Sequence, residues 1–286
     1  MHYGIYVPNF GDETSVRSLA TLAQEAEAAG WDGFFIWDHI LYSTSKPVQM
    51  VDPWIALTAI VMTTERIRIG TTVTPIPRRH PWKLARETAS LDHLSGGRLI
   101  LGVGLGDPPE AEFAQFGEEA DIRLRAGKLD EGLDLLAGLW SGKPFHYDGT
   151  HYHIKKTIFQ PAALQVPRIP IWVAGFWPNR VPFRRAARWD GVIPLQHGGA
   201  LKPGDMADML SFIKEQRSAS EEERPFDVVK IGSTPGDDAV KGGKVVAPFA
   251  KVGVTWWLES LYGARNSLER MRGRIRQGPP KGQNII

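Results

Sequence analysis

Eight short apolar runs alternate with amphipathic helical patterns along the chain, and this alternation restricts the fold more than any other feature. The runs are apolar on both faces, as strands are when helices cover both sides of a parallel sheet. The first turn, PNFGDETS, lacks the glycine pattern of an open dinucleotide-binding sheet. We therefore predict an α/β protein of the (β/α)8 TIM barrel class. The predicted strands cover residues 3–7, 33–37, 66–73, 98–103, 169–175, 190–195, 226–232 and 252–258.

The alternation is interrupted once, after the longest helical pattern at about 121–140. Residues 143–168 lack helical periodicity, and FHYDGTHYHI within them predicts a hairpin around Asp148 and Gly149. Barrels of this class use roughly 250 residues as one unit. We therefore expect a single domain over 1–286, with the hairpin-containing insertion between strands 4 and 5 and a short tail at 277–286. The helix is expected to turn one stripe to the core, formed by Ile122, Ala126, Leu129, Leu133, Leu136 and Trp140.

Composition excludes several classes of function. The chain has no cysteine, which excludes disulfides, thiolate metal sites and thiol nucleophiles. With 34 basic and 32 acidic residues it has no basic stripe, so nucleic acid is not an expected partner. No apolar stretch approaches the roughly 20 residues that cross a bilayer, and Pro8 breaks the first apolar run. A membrane is not an expected partner either, and the expected location is cytoplasmic.

Reactive groups of a (β/α)8 barrel lie on the loops after the carboxyl ends of its strands. Arg98 and Asp190 instead open their strands, so we assign them to the opposite, structural rim. The candidate residues at carboxyl ends are Asn9, Asp38, His39, Thr71, Thr72, Thr74, Asp107, the segment 175–180, Gln196, His197 and Glu259.

Trp37-Asp38-His39 is the sharpest local pattern among these candidates. Histidine titrates near neutral pH, and an adjacent carboxylate can set its tautomer or raise its basicity. We therefore predict that His39 transfers a proton and that Asp38 holds its ring. The alternative is a helix cap by Asp38 beside a structural His39.

Three further patterns bear on ligand binding. His151 and His153 share one face of the predicted hairpin, but a third ligand is lacking nearby, so no metal site is predicted. GVGLG (102–106) lacks the lysine of a phosphate loop, and its glycines are expected to let a ligand approach, with Asp107 pointing toward it. Asn179 is predicted to cap a helix whose free N–H groups, together with Arg180, suit a phosphate.

Six segments, taken in order, resemble the luciferase-like monooxygenase superfamily, which includes bacterial luciferase, alkanesulfonate monooxygenase and enzymes that use the deazaflavin coenzyme F-420. They are GFFIWDH, RIRIGTTVTP, HLSGGRLILGVGLG, FHYDGTHYHI, IPIWVAG and RWDGVIP. The resemblance covers nearly the whole chain and implies a flavin-type ring, of F-420 or FMN, across the carboxyl mouth of the barrel. It also implies a small-molecule substrate and a homodimer.

The resemblance assigns roles residue by residue. Asp38 and His39 match the acidic-histidine pair beside the ring in deazaflavin members, and Thr72–Val73 matches a non-proline cis peptide behind it. Asp107 matches the position of a glutamate that serves as an acid in a sugar-phosphate dehydrogenase of the family. Residues 175–180 match a phosphate-binding loop. The implied catalytic residues are His39, Asp38 and Asp107. The implied cofactor-binding residues are Asp38, Thr71, Thr72, Val73, Gly106, Asp107, Ala174, Gly175, Phe176, Asn179 and Arg180.

The expected activity is therefore hydride transfer between F-420 and a small organic substrate. One alternative is an FMN-dependent monooxygenase that receives reduced flavin from a separate reductase. A second is a flavin-binding barrel without catalysis. A third is a hydrolase with Asp38 and Asp107 as paired carboxylates.

Overall fold

The computed structural model describes residues 1–263, 265 and 267–280. Its strands are β1 (His2–Val7), β2 (Gly33–Ile36), β3 (Arg68–Pro75), β4 (Leu99–Gly104), β5 (Pro144–Asp148), β6 (His153–Ile158), β7 (Ile171–Phe176), β8 (Gly191–Leu195), β9 (Asp227–Gly232) and β10 (Trp256–Ser260). Eight of these strands close into a parallel barrel in the order β1-β10-β9-β8-β7-β4-β3-β2. The predicted TIM barrel is confirmed.

Helices connect successive barrel strands, and the sequence marks several of their ends. Pro53 and Pro81 occupy first helical positions, where a missing N–H costs nothing. Asp52 caps the helix at Pro53, and Gly96 ends the next one in the left-handed conformation. The helices are α1 (Val16–Ala28), α2 (Pro53–Thr63), α3 (Pro81–Ser95), α4 (Pro109–Glu112), α5 (Ile122–Trp140), α6 (Arg180–Ala187), α7 (Pro203–Gln216), α8 (Ala219–Glu222), α9 (Ala239–Lys251) and α10 (Leu268–Arg276).

The barrel interior is filled by aromatic and branched side chains. The rings of Phe35, Trp172 and Trp256 meet with centroids 5.0 to 5.6 Å apart, and Ile100, Ile193, Val229 and Leu258 complete this inner cluster. A larger core lies between the strands and the helices. Because the interior is packed, a ligand can be accommodated only at a rim of the barrel.

Most predicted elements are confirmed, and two expectations are wrong in detail. The β5–β6 hairpin forms within the insertion between the fourth and fifth barrel strands. The last strand begins at Trp256 because Val252 and Gly253 end α9 instead of extending β10. Ile122 is 60% exposed, since the first turn of α5 projects beyond the core that buries Leu129.

Arg98 and Asp190 lie at the amino-terminal rim, directly before β4 and β8, as predicted. Arg98 donates to Thr64 and to the carbonyl of Ile67, and Asp190 pairs with Arg168. Of the predicted tail at 277–286, residues 281–286 lie outside the described part of the chain. Within the described residues, no helix has both the length and the apolar character needed to cross a bilayer.

Candidate active site

The carboxyl mouth of the barrel has an apolar floor. Its members are partly buried side chains that pack on the inner cluster from above, and they are Tyr6, Val73, Ala174, Leu195 and Ile231. Each lies in the carboxyl half of its strand or at its end. The floor is therefore a shallow apolar surface that the protein itself does not cover completely.

Gly104 allows Val73 and Ala174 to pack closely over β4. A Cβ built on Gly104 would lie 2.8 Å from Val73 Cγ2 and 3.8 Å from Ala174 Cβ. The Thr72–Val73 peptide is cis, as the resemblance implied. The pairing of β3 with β4 shifts register between Thr71 and Thr74. Val73 and Ala174, two of the predicted cofactor-binding residues, thus both lie over Gly104 in the floor.

Asp38 is completely buried beside this floor, and its carboxylate is fully engaged. Thr74 Oγ1 donates to it at 2.9 Å, Arg79 donates to both oxygens at 2.9 Å, and Arg78 pairs with it as well. Neither an orienting contact to the His39 ring nor a helix cap is observed. Both expectations for the Asp38 side chain are wrong, because two arginines that follow β3 occupy its oxygens.

Glu112 takes the orienting position that the sequence had assigned to Asp38. Its Oε1 lies 2.9 Å from His39 Nδ1 and also accepts from the backbone N–H groups of Ile40 and Leu41, at 3.2 and 3.4 Å. Its other oxygen pairs with Arg78, and its side chain is fully buried. Sequence reasoning missed Glu112 because the only local signal is an acidic residue in a short helix after β4.

This contact determines the protonation of the His39 ring. A carboxylate only accepts hydrogen bonds, so Nδ1 carries the proton and Nε2 keeps its lone pair. Burial and, next, the charge of Arg78 lower the pKa of His39 to about 4, against opposing effects of Asp38 and Asp107. The Arg78 guanidinium balances the charge of the Glu112 carboxylate. His39 is therefore a neutral imidazole at neutral pH, its Nε2 has no partner among the described residues, and its side chain is 16% exposed.

Asn9 holds the backbone of this loop. Its side-chain amide donates to the carbonyls of His39 and Val51 at 2.9 and 2.8 Å, and its oxygen accepts from His39 N–H. Asn9 itself is completely buried at the end of β1. The loop that carries His39 is thus attached to the barrel at two points.

Five aromatic side chains form a wall on the β1–β2–β10 side of the mouth. Trp37 lies 5.2 Å from Tyr6, 5.5 Å from Phe10 and 5.0 Å from Tyr262, and Phe10 stacks on Tyr42 at 4.4 Å. The hydroxyls of Tyr42 and Tyr262 are 3.1 Å apart. This hydrogen bond, together with burial, raises the pKa of Tyr42 to about 12. We call these five residues the aromatic wall. No sequence pattern predicts it.

The remaining residues predicted on β3 and β4 lie at the same rim. Asp107 is exposed and follows the carboxyl end of β4, and its charge raises the pKa of both His39 and Tyr42. Thr71 donates to the carbonyl of Gly102. Within the described chain, the buried Thr72 hydroxyl and Trp37 Nε1 lack a hydrogen-bond partner.

The segment after β7 also lies at this rim. Asn179 caps α6 as predicted, accepting from Val181 N–H at 3.2 Å. Phe176 stacks on His197 with ring centroids 3.9 Å apart. Arg180 is exposed and lies over the ring of Phe212. This loop is thus part of the mouth, whereas Glu259 is buried among Thr234, Trp257, Arg265 and Arg274 and is structural.

Comparison with known proteins identifies the family. The family model described as luciferase-like monooxygenase matches residues 1–234. The chain belongs to the luciferase-like monooxygenase family. An F-420-dependent glucose-6-phosphate dehydrogenase from Gordonia bronchialis is 31% identical over 220 residues, 74% of this chain and 62% of that protein. The oxygenase component of a flavin-dependent trigonelline monooxygenase from Acinetobacter baylyi is 30% identical over 184 residues, 63% of this chain and 49% of its own length.

The fold of this luciferase-like enzyme also matches solved structures. An F-420-dependent secondary alcohol dehydrogenase in complex with an F-420–acetone adduct superposes with a TM-score of 0.78 at 16% identity, covering 98% of each chain. At this identity the match establishes the barrel alone. Both F-420-dependent dehydrogenases and flavin-dependent monooxygenases are therefore found among the relatives of this enzyme.

Proposed function

We propose that this luciferase-like enzyme transfers a hydride between coenzyme F-420 and a small alcohol or ketone. The observation that carries the proposal is the 2.9 Å contact between His39 Nδ1 and Glu112, which leaves Nε2 to act as a base toward a ligand in the mouth. The relatedness to F-420-dependent dehydrogenases supports the choice of cofactor. The cis Thr72–Val73 peptide, which the resemblance links to deazaflavin members, is consistent with it.

The mouth fits a flat ring with a polar edge. The floor is apolar and only partly covered by the protein itself. The unpartnered Thr72 hydroxyl and Trp37 indole N–H are available to polar atoms of a ligand. When bound there, F-420 would supply a carbon that accepts or returns a hydride. The residues proposed to hold it are Thr71, Thr72, Val73, Gly106, Asp107, Ala174, Gly175, Phe176, Asn179 and Arg180, with Asp38 bracing β3 through Thr74.

The chain's own contribution to the reaction is proton transfer. In alcohol oxidation, His39 Nε2 would accept the hydroxyl proton of the substrate, and F-420 held by the residues above would take up the hydride of the carbinol C–H bond. Glu112 stabilises the imidazolium that forms, and Arg78 holds Glu112 in place. In ketone reduction the same nitrogen returns its proton to the carbonyl oxygen. Asp107 remains a candidate second acid at the rim.

Cofactor binding separates this proposal from its alternatives. We would titrate the protein with F-420 and with FMN and follow the fluorescence of each compound. Tighter binding of F-420, followed by its reduction when an alcohol is added without oxygen, is the expected result. Binding of FMN alone would favour a monooxygenase served by a separate reductase. Binding of either without turnover would favour a non-catalytic barrel. Paired carboxylate hydrolysis is not favoured, because the Asp38 oxygens are engaged by arginines.

The pH dependence of turnover is a second test. A free histidine titrates near pH 6.5, whereas the lowered pKa of His39 is about 4. We expect kcat/KM for alcohol oxidation to stay high as the pH falls through 6.5 and to decline only toward 4. A decline centred near 6.5 would contradict a neutral, buried His39 as the base.

The same shift couples His39 to folding. The His39 side chain takes up a proton more readily in the unfolded chain than in the folded protein. The contribution of the neutral His39 to the free energy of unfolding is therefore fully present above pH 6.5 and is lost as the pH falls toward 4. Denaturant unfolding of His39→Gln at several pH values should lack this component. An identical pH dependence of the free energy of unfolding in the variant would show that His39 is not the source of this component.

A further inference from the structure

The surroundings of His39 are aromatic on three sides. Its ring centroid lies 5.9 Å from Phe10, 5.6 Å from Trp37 and 5.3 Å from Tyr42. Tyr262 extends the same surface outward and is 43% exposed. A molecule whose hydroxyl reaches His39 must therefore place its remaining atoms beside aromatic faces and edges, where flat apolar groups bind well.

The two tyrosine hydroxyls at the outer end of the aromatic wall are paired within it. The hydroxyls of Tyr42 and Tyr262 bond to each other across two loops that follow β2 and β10. A sugar ring needs several hydrogen-bond partners, and a site whose hydroxyls are paired internally offers few. The aromatic wall is thus better suited to a ring without hydroxyl groups than to a carbohydrate.

Charge at this side of the mouth also disfavours anions. Three arginines at this side of the mouth are already engaged: Arg78 and Arg79 pair with Asp38 and Glu112, and Arg125 donates to two backbone carbonyls that follow β4. Asp107, which also follows β4, is exposed. A phosphate or carboxylate on the substrate would be repelled by this anion, while these arginines hold other partners.

We infer that the substrate is an uncharged secondary alcohol or ketone carrying an aromatic ring, which binds against Phe10, Trp37, Tyr42 and Tyr262 beside His39. This inference rests on the proposed function and goes beyond it by naming the substrate class. It also separates this enzyme from its glucose-6-phosphate dehydrogenase relatives. Tyr262 is the specificity residue of the site that can be replaced without disturbing the buried charges.

Calorimetric titration of the protein loaded with reduced F-420, to which an alcohol cannot transfer a hydride, tests the inference through binding alone. The probes are 1-phenylethanol, butan-2-ol and glucose 6-phosphate. We expect 1-phenylethanol to bind at least about tenfold more tightly than butan-2-ol, given the contribution of aromatic contacts and buried area. Tighter binding of glucose 6-phosphate, or equal binding of the two alcohols, would overturn the inference. Absence of F-420 binding in the preceding fluorescence titration would instead overturn the proposed function.

A substitution within the aromatic wall tests whether 1-phenylethanol binds there. Tyr262→Ala should weaken 1-phenylethanol binding by about tenfold and leave the Kd for F-420 within about twofold of wild type. Trp82→Ala is a matched control, since Trp82 is 42% exposed at the start of α3 and is not part of the aromatic wall. Equal losses in the two variants, or none in Tyr262→Ala, would remove the aromatic wall as the substrate site.

Discussion

His39→Ala is expected to lower kcat for alcohol oxidation by about 10²–10⁴-fold, the usual range for a lost general base. The fold should survive, because the ring lies in the mouth and outside both hydrophobic cores, and among the described residues its side-chain hydrogen bond is to Glu112. Glu112 keeps the N–H groups of Ile40 and Leu41 and its pairing with Arg78. The measurements are steady-state F-420 reduction, the Kd for F-420 and the melting temperature.

Two controls make this result specific to the proton transfer. Added imidazole should restore part of the rate in His39→Ala, which a merely structural defect would not allow. His93→Ala should turn over normally, since His93 bonds the carbonyl of Ala162 away from the mouth. A rate in His39→Ala within a few fold of wild type would show that another group accepts the proton.

Arg78→Met is expected to lower the free energy of unfolding by about 3–5 kcal/mol, because it removes one partner from a buried ionic cluster. Asp38 would keep Arg79 and Thr74, but Glu112 would lose its cation while fully buried. The loss should shrink at lower pH, where a carboxyl without its partner takes up a proton and becomes neutral. Urea unfolding at neutral and acidic pH measures both effects.

An exposed ion pair provides the matched control. Arg188 pairs with Asp134 at 3.0 Å, with side chains 52% and 39% exposed, and Arg188→Met should cost less than about 1 kcal/mol. The double variant Arg78→Met with Glu112→Gln should recover part of the stability, because the unpaired charge is gone. Equal effects of Arg78→Met and Arg188→Met would show that water reaches the Asp38–Arg78–Glu112 cluster.

The sequence determined the barrel and the rim at which its chemistry lies. Strand and helix periodicity are local properties, so the alternation identified the barrel strands and the hairpin before any contact was known. The rule for carboxyl ends then placed Asp38, His39 and Asp107 together at one rim, and Arg98 and Asp190 at the other.

Which side chains meet was decided by tertiary structure. His39 contacts Glu112 across 73 positions, and Tyr42 contacts Tyr262 across 220. Asp38, adjacent to His39 in the chain, bonds the arginines that follow β3 instead. Periodicity reports which face of an element is apolar, whereas loop conformation and barrel closure determine which loops converge. The base, the group that orients it and the aromatic surface around it therefore became visible only once the barrel was closed.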